Sequence, residues 1–343
     1  MLTDKEIEQI REELATAKNP LFFYDGDGDG LTSFLLLYKI HREGKGIYMN
    51  NTSYLDERFV KKVEELDPDK VFILDIPVVE QSFLDKVNRP VIWIDHHPPL
   101  ERTKVKYFNP RIKDPDAYIP TSRMCWQISN NPDNLWLATA GSLADYYMPD
   151  FIKDFVKKHP TFAGKKEDLP VLLYKKPVGM LVKMFFFLLK GPTSEVRKSI
   201  KILTRIKSPE EIFEEQTPQG KFLHKRFLKI NEKYEELIKQ AKKSVKKSKL
   251  VLFFYTENKW SFTANLSNEL FGNYPDKMIL IARKKSGDVK CSLRGKNVGK
   301  YLKEALDGVE GKGGGHPDAC GAVISEKDWD RFLENFKGAL NDS

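Results

Sequence analysis

The sequence has few of the residues on which disulfide-rich and zinc-binding proteins depend. Only three cysteines occur among its 343 residues, at positions 125, 291 and 320. Their odd number and wide spacing predict neither a disulfide framework nor a CxxC zinc site, as expected for a reducing compartment. Residues 1–20 carry charges throughout and have no apolar core typical of a signal peptide. We therefore expect a cytoplasmic protein.

Long uncharged apolar segments are also missing. The longest apolar stretch, residues 170–189, is interrupted by three lysines and by Pro177. A membrane span requires about 20 nearly uncharged residues. The stretch therefore predicts a buried helix, and we expect no membrane association.

Charge is unevenly distributed along the chain. The formal net charge is +8, but residues 1–150 hold 18 basic and 25 acidic side chains, a net of −7. Residues 151–343 carry the remaining net charge of +15. An acidic region is where metal ligands are expected, and a basic region suits a polyanion such as single-stranded nucleic acid. The length favours two domains.

Three short apolar runs, at residues 21–24, 71–74 and 91–94, each stop at an aspartate. Continuous apolar runs that alternate with helical segments predict a parallel sheet covered on both faces. In such sheets, ligands bind beyond the carboxyl ends of the strands. The three residues expected at that edge are Asp25, Asp75 and Asp95.

The segment 25–30 places carboxylates on alternate residues, at Asp25, Asp27 and Asp29. An EF-hand calcium loop would need a glutamate at its twelfth position, which is Leu36 here, so that interpretation fails. Carboxylates this close repel one another unless a cation neutralises them. The segment therefore predicts a cation site.

Two further segments add ligands of the same kind. Asp95 is followed by His96 and His97, and the segment 141–145 ends at Asp145. Mixed carboxylate and imidazole ligands suit Mn²⁺ or a related divalent ion better than Ca²⁺.

The second half predicts a smaller α/β domain. Residues 150–206 read as a helical insert, and an apolar stripe predicts one long helix over 222–247. The pattern then predicts, in order, strands at 250–255, 260–264, 278–282 and 289–293, a glycine-rich turn at 313–315 and a helix at 326–340. We therefore predict a first domain at 1–210, a connecting helix at 211–249 and a second domain at 250–343.

These segments resemble the four ordered motifs of the DHH phosphoesterases, in the form of the RecJ-like branch. The motifs are Asp25–Ser33, Asp75, Asp95–His97 and Gly141–Asp145. The second half resembles the companion DHHA1 domain through residues 292–294, 313–316 and 319–321. In size the chain is similar to the short archaeal relatives, including the nuclease associated with the helicase-nuclease Hef.

The resemblance implies a two-metal site in the cleft between the domains. It usually holds manganese, for which Mg²⁺ or Co²⁺ can substitute. One ion would be held by Asp25, Asp27 and Asp75. The second would be held by Asp29, Asp75, His96 and Asp145, with Asp75 bridging the ions. Some relatives carry a histidine where this chain has Phe23, and Asp25 is its proposed replacement.

The resemblance also assigns roles around the metals. Asp75 would act in catalysis as the bridging ligand, His97 would face the substrate phosphate, and Asp95 would orient a histidine. Substrate phosphates would be bound by the second domain through Ser292, Arg294, Gly313, Gly314, Gly315 and His316.

The function expected from these features is phosphodiester hydrolysis by water activated between two metal ions. The first hypothesis is a single-strand-specific exonuclease on DNA or RNA, with 3′→5′ polarity, in DNA repair or replication. Its partners would include a repair helicase or nuclease, a replisome protein, or a second copy of the chain. The alternatives are a nano-RNase or 3′,5′-bisphosphate nucleotide phosphatase of the NrnA type, and an inactive replisome scaffold. A manganese pyrophosphatase fits the first domain alone, but the DHHA1-like end and the basic second half argue against it.

Overall fold

A computed structural model describes residues 1–49, 54–162, 168–256 and 259–341 of the chain. They form two compact units, Met1–Lys225 and Arg226–Ser343. Both units combine helices with a sheet, so the predicted α/β architecture with a smaller second domain is confirmed. In the described ranges, no helix has the length and apolar character needed to cross a membrane.

The first unit is built on a fully parallel five-stranded sheet. The described strands of the whole unit are β1 Leu21–Asp25, β2 Lys45–Met49, β3 Tyr54–Leu55, β4 Val71–Leu74, β5 Val78–Val79, β6 Val91–Ile94 and β7 Lys106–Phe108. The main sheet has the order β2-β1-β4-β6-β7, and β3 pairs with β5 separately. The three predicted strands lie side by side at its centre, so the residues that follow them meet at one edge.

Eleven α-helices accompany these strands in the described part of the first unit. They are α1 Asp4–Thr16, α2 Gly28–His41, α3 Val60–Leu66, α4 Gln81–Lys86, α5 Thr121–Ser129, α6 Leu135–Ala144, α7 Ile152–Lys158, α8 Leu169–Lys175, α9 Pro177–Leu188, α10 Thr193–Leu203 and α11 Pro209–Phe213. The apolar stretch 170–189 is thus two helices and not one, because Pro177 begins a new helix. The long helix α12, Pro218–Lys243, runs from the first unit into the second.

Both faces of the central strands are buried, which explains why their sequences are continuously apolar. Phe23 packs edge to face against Phe83 of α4 on one side. On the other side, Phe22 stacks on Phe72 and meets Phe34 of α2 edge to face. Apolar burial of this kind stabilises by about 25 cal/mol per Å² of surface removed from water.

The second unit contains a mixed five-stranded sheet. Its elements are β8 Leu250–Tyr255, α13 Thr263–Asn273, β9 Met278–Lys285, β10 Asp288–Arg294, α14 Val298–Ala305, β11 Gly311–His316, β12 Ala319–Ser325 and α15 Trp329–Asn341. The strand order is β11-β12-β10-β9-β8, with β8 and β9 parallel and the other pairs antiparallel. One face packs against α14 and α15 in a shared apolar core.

Two sequence predictions in this unit are wrong. Residues 260–264 are not a strand: Trp260 and Phe262 are buried in a loop, and α13 begins at Thr263. Their alternation with polar neighbours reflects burial without strand pairing. The glycines at 313–315 are not a turn but part of β11, an edge strand hydrogen-bonded to β12.

Gly141 sets how closely three helices of the first unit pack. A Cβ atom there would lie 2.0 Å from Thr32 Oγ1 on α2 and 2.6 Å from Ser122 Oγ on α5. We predict that Gly141→Ala lowers the free energy of unfolding by about 1–3 kcal/mol, the usual cost of overpacking. Gly338→Ala in α15 is the matched control, since a Cβ there meets nothing within 4 Å. Chemical denaturation measures both; equal effects would contradict the packing argument.

Candidate metal centre

The N-terminus of α2 gathers the first carboxylates because glycines allow a tight turn. Asp25 ends β1, and the Asp27 carboxylate caps α2 by accepting a hydrogen bond from the Gly30 N–H at 2.9 Å. A Cβ atom on Gly30 would lie 2.5 Å from the Asp25 carbonyl oxygen, and one on Gly28 would lie 2.7 Å from Ala144 Cβ. These two glycines are therefore required by packing.

Asp29 is buried at the N-terminus of a second helix. Its two carboxylate oxygens accept hydrogen bonds from the N–H groups of Thr121 and Ser122, the first residues of α5, at 2.8 and 3.0 Å. Burial, and then the charge of Asp145, raise the pKa of Asp29 to about 7 despite these hydrogen bonds. Burial likewise raises the pKa of Asp25 to about 6.

Asp75 lies at the centre of the carboxylates. It follows β4 in a left-handed backbone conformation, with φ of 60°, which is uncommon for a residue other than glycine and is often seen at functional sites. Its Oδ1 accepts a hydrogen bond from Thr121 Oγ1 at 3.1 Å. Burial and the charges of Asp29 and Asp27 raise the pKa of Asp75 well above its usual value.

Asp95 is fully buried and holds His97. Its Oδ1 lies 2.7 Å from His97 Nδ1, and its Oδ2 accepts the His97 backbone N–H at 3.1 Å. Burial lowers the pKa of His97, but the hydrogen bond and charge of Asp95, together with the charges of other carboxylates, raise it by more, so that the net shift is upward. Asn109 and Tyr107 hydrogen-bond to each other beside Asp95 and fix its surroundings.

His96 points toward the other carboxylates. Its Nε2 lies 3.4 Å from Asp75 Oδ1 and 3.6 Å from Asp145 Oδ2. Burial lowers the pKa of His96, which favours the neutral ring that a metal ion binds. The Tyr118 hydroxyl lies 2.8 Å from both the carboxylate Oδ2 and the carbonyl oxygen of Asp145, at the end of α6.

The sequence-predicted ligands therefore converge. Three sets of residues each offer ligand atoms within 4.8 Å of one another: Asp25, Asp27 and Asp75; Asp29, His96 and Asp145; and Asp75, His96 and His97. The first set equals one predicted ligand set, and the second equals the other without Asp75. Asp75 and His96 each belong to two of the three sets.

These residues fit divalent ions chemically. Adjacent ligand atoms around an octahedral ion with bonds of 2.0–2.1 Å are about 3 Å apart, close to the spacings of His96 Nε2 from its neighbours. Carboxylate oxygens suit both Mn²⁺ and Mg²⁺, and an added imidazole favours the transition-metal ion Mn²⁺. Bound cations would also offset the repulsion that raises the pKa values of the buried carboxylates.

Sequence reasoning did not find the residues that position these ligands. They are Tyr107, Asn109, Tyr118, Thr121 and Ser122. Only Thr121 and Ser122 carry a signal, because Ser and Thr are frequent near the start of a helix.

The second unit brings four of the six predicted substrate-binding residues onto one face of its sheet. The strand register aligns Arg294 with Ala319 and His316 across β10, β12 and β11. The next row of that face aligns Ser292 with Gly321 and Gly314. Residues directly opposite in antiparallel strands share a face. Gly313 and Gly315 alternate with these residues and belong to the other face.

Arg294 is held in position by its neighbours. Its Nε donates to Asn268 Oδ1 at 2.6 Å, and its Nη1 donates to Ser292 Oγ at 3.2 Å. His316 is exposed. A Cβ on Gly314 would meet nothing within 4 Å, so packing does not explain that glycine.

This architecture defines a class of protein: a parallel sheet with carboxylates and histidines at its strand ends, followed by a smaller α/β domain. The sequence matches the DHH family, N-terminal domain, over residues 22–146, and the DHHA1 domain over residues 246–342. The chain belongs to the DHH/DHHA1 superfamily. Members of the DHH family are generally metal-dependent phosphoesterases.

Solved structures with the same fold include proteins that are described in different ways. RecJ from Thermus thermophilus, in complex with Mn²⁺, superposes with a TM-score of 0.69 at 14% identity, over 98% of this chain and 54% of that one. The chain thus spans about half the length of that protein. The pGpG-specific phosphodiesterase PggH from Vibrio has a TM-score of 0.53 at 15% identity, covering 95% of this chain and all of the other.

CDC45 from Entamoeba histolytica has a TM-score of 0.52 at 11% identity, covering 98% of this chain and 99% of that chain. No curated protein sequence matches. At such identities these likenesses show the fold alone.

We predict that Mn²⁺ raises the melting temperature and that Asp75→Asn has two opposite effects. Without metal, the variant is expected to melt a few degrees higher, because one buried negative charge is removed from the cluster. With Mn²⁺, its melting temperature is expected to rise much less than that of the wild type. Differential scanning calorimetry measures both effects, with one sample in EDTA to remove metal and one sample with added Mn²⁺.

Asp85→Asn is the control for that measurement, because Asp85 is exposed and pairs with Lys104. An Mn²⁺-induced rise that is as large in Asp75→Asn as in Asp85→Asn would argue against the metal centre.

Proposed function

We propose that the protein is a metal-dependent phosphodiester hydrolase, specifically a single-strand-specific exonuclease acting on DNA or RNA in the 3′→5′ direction. The observation that carries the proposal is the cluster of five carboxylates and His96 at the carboxyl ends of β1, β4 and β6. Burial and mutual repulsion raise the pKa values of Asp27 and Asp75, and no lysine or arginine is among their strongest electrostatic neighbours. Such a cluster lowers the stability of the folded protein. A bound pair of cations would offset the repulsion, which explains why the carboxylates are present.

The proposed ligands are Asp25, Asp27 and Asp75 for one Mn²⁺ ion and Asp29, Asp75, His96 and Asp145 for the other. When bound, such ions activate water as a nucleophile and stabilise negative charge on phosphate oxygens. His97, fixed by its 2.7 Å contact with Asp95, donates a hydrogen bond to a phosphate oxygen.

The second unit supplies the proposed contacts to the rest of the substrate. Arg294 and His316 bind phosphate oxygens, and Gly314 lets a phosphate approach the backbone closely. Residues 226–343 hold 23 basic and 16 acidic side chains, a net charge of +7. A positive surplus of this kind favours a polyanionic strand.

The biological setting is proposed on the same basis. An exonuclease of this kind acts in the cytoplasm in DNA repair or replication, where a helicase, nuclease or replisome protein supplies single strands. The likeness to CDC45 is compatible with a replisome partner. Self-association of the chain is a further part of the proposal.

A second candidate is a phosphodiesterase or phosphatase of the NrnA type, for very short oligonucleotides. The observation that favours it is the match to PggH, which covers all of that chain. Phe23 argues the other way: it is fully buried in the apolar core, so this position supplies no metal ligand, whereas some relatives have a histidine there. An inactive scaffold is disfavoured because every proposed ligand is present.

We predict that the protein with Mn²⁺ shortens a 20-mer labelled at its 5′ end into a ladder, with DNA and RNA versions tested in parallel. Asp75→Ala is expected to lower the rate at least 100-fold, because it removes the proposed bridging ligand. Denaturing gels measure the products. A single released mononucleotide from the labelled end would indicate the opposite polarity.

The other outcomes select among the alternatives. Turnover of a dinucleotide without cleavage of the 20-mer would favour the NrnA-type activity. No turnover of either substrate, together with no Mn²⁺-induced stabilisation, would favour the scaffold. Unchanged activity in Asp75→Ala would contradict the metal centre.

We predict that Gly314→Ala raises KM several-fold and leaves the melting temperature unchanged. The added methyl group has room in the folded protein, so its effect falls on the approaching phosphate. Gly338→Ala is the control, since its site is equally open but lies in α15. Steady-state kinetics on the 20-mer measures the effect; an unchanged KM would remove Gly314 from the substrate site.

A further inference from the structure

A polar cavity lies in the first unit, at the opposite end of α2 from the carboxylates of the metal centre. Its volume is about 790 Å³, within the range of small-molecule sites. Since α2 has 14 residues at about 1.5 Å rise each, the two ends are about 20 Å apart. The proposed metal ligands do not line this cavity. Its charged lining residues are Lys39, Arg42, Asp133, Lys158, Arg205 and Lys207.

The cavity is strongly basic. Five of those side chains are cationic and one, Asp133, is anionic and pairs with Lys158 at 2.9 Å. Among the residues that the structure describes, Arg42, Arg205 and Lys207 form no ion pair through their side chains. The neighbouring acids have hydrogen-bond partners of their own: Glu210 lies 2.7 Å from His159 Nδ1, and Glu211 accepts the Lys207 backbone N–H at 2.7 Å and the Thr217 hydroxyl. Glu211 also interacts electrostatically with Lys39, so the cavity keeps a surplus of cations but is not free of acids.

Two of the basic lining residues, Lys39 and His159, are buried or half-buried, unlike ordinary surface cations. Lys39 is half-buried, and its Nζ donates to the carbonyl oxygens of Ile206 and Thr204 at 2.6 and 3.3 Å. Burial lowers its pKa to about 8, which a bound anion would reverse. His159 is only 4% exposed, and its Nε2 has no hydrogen-bond partner within the described ranges.

Arg42 occupies a backbone position that glycine would fill more readily. It ends α2 in a left-handed conformation, with φ of 65°. Most helices that end in this conformation use glycine there, because side chains are disfavoured. An arginine at this position places a guanidinium group at the cavity at a conformational cost, which suggests that the charge is used.

We propose that this cavity binds a nucleoside di- or triphosphate, at a site separate from the metal centre. The surplus of positive charge is enough to neutralise more than one phosphate group. Each guanidinium group can bind two phosphate oxygens through parallel N–H···O hydrogen bonds. The volume leaves room beyond the phosphates, where the half-buried Tyr38 ring and the amide of Asn134 can contact a base or a sugar. The site needs no metal ion for binding.

The test is isothermal titration calorimetry of the full chain with ATP in the presence of EDTA. Adenosine and pyrophosphate, which represent the two parts of ATP, are titrated separately. We expect one ATP per chain, weaker binding of pyrophosphate and no binding of adenosine. Arg42→Gly and Arg205→Ala are each expected to weaken ATP binding at least tenfold. Because glycine suits the left-handed position, Arg42→Gly should keep or raise the melting temperature, so lost binding would not reflect unfolding.

Lys104→Gly is the matched control, since it also removes a cation at a left-handed residue, with φ of 60°, but outside the cavity. It should bind ATP like the wild type, and so should Asp75→Asn. The proposal is overturned if the wild type does not bind ATP, if Lys104→Gly weakens binding as much as Arg42→Gly, or if Arg294→Ala abolishes binding while Arg42→Gly does not. Arg42-dependent binding of a 20-mer without any binding of ATP would also overturn it.

Discussion

The repulsion among five buried or half-buried carboxylates is the constraint on which the first unit depends. Burial raises the free energy of each charged form, and each neighbouring charge raises it further, as the raised pKa values of Asp27 and Asp75 indicate. Apolar side chains in place of this cluster would make the folded protein more stable, so stability alone does not explain the carboxylates. The surroundings instead support it: α5 offers backbone N–H groups to Asp29, and Thr121 donates to Asp75.

Much of this site could be predicted from the sequence because its main elements are local. An apolar run that stops at an aspartate records both a buried parallel strand and the residue at its carboxyl end, and β4 and β6 have the predicted bounds. Parallel pairing then brings Asp25, Asp75 and Asp95 to one edge without further information. Asp145 could not be placed by its local pattern, because an aspartate at the end of a helix is usually a surface residue. Only the resemblance of the segment 141–145 to a family motif indicated its role.

The remainder depended on contacts that local patterns do not encode. Trp260 and Phe262 alternate with polar residues as a strand would, but they are buried without pairing to a neighbouring strand. The glycines of β11 favour a turn by composition, yet pairing with β12 makes them a strand. The cationic residues of the α2 cavity come from segments 39–42, 158 and 205–207, which no sequence spacing connects.

The charge distribution also has a different meaning in three dimensions. The net +15 of residues 151–343 is divided: residues 151–225, mostly helical and part of the first unit, hold 16 basic and 8 acidic side chains. Half of the surplus therefore lies in the same unit as the carboxylates, and part of it lines the cavity at the far end of α2. That helix has aspartates at its N-terminus and lysine and arginine at its C-terminus, as its dipole favours. The dipole that favours the carboxylates of a cation site at one end thus also favours the cationic side chains of an anion site at the other.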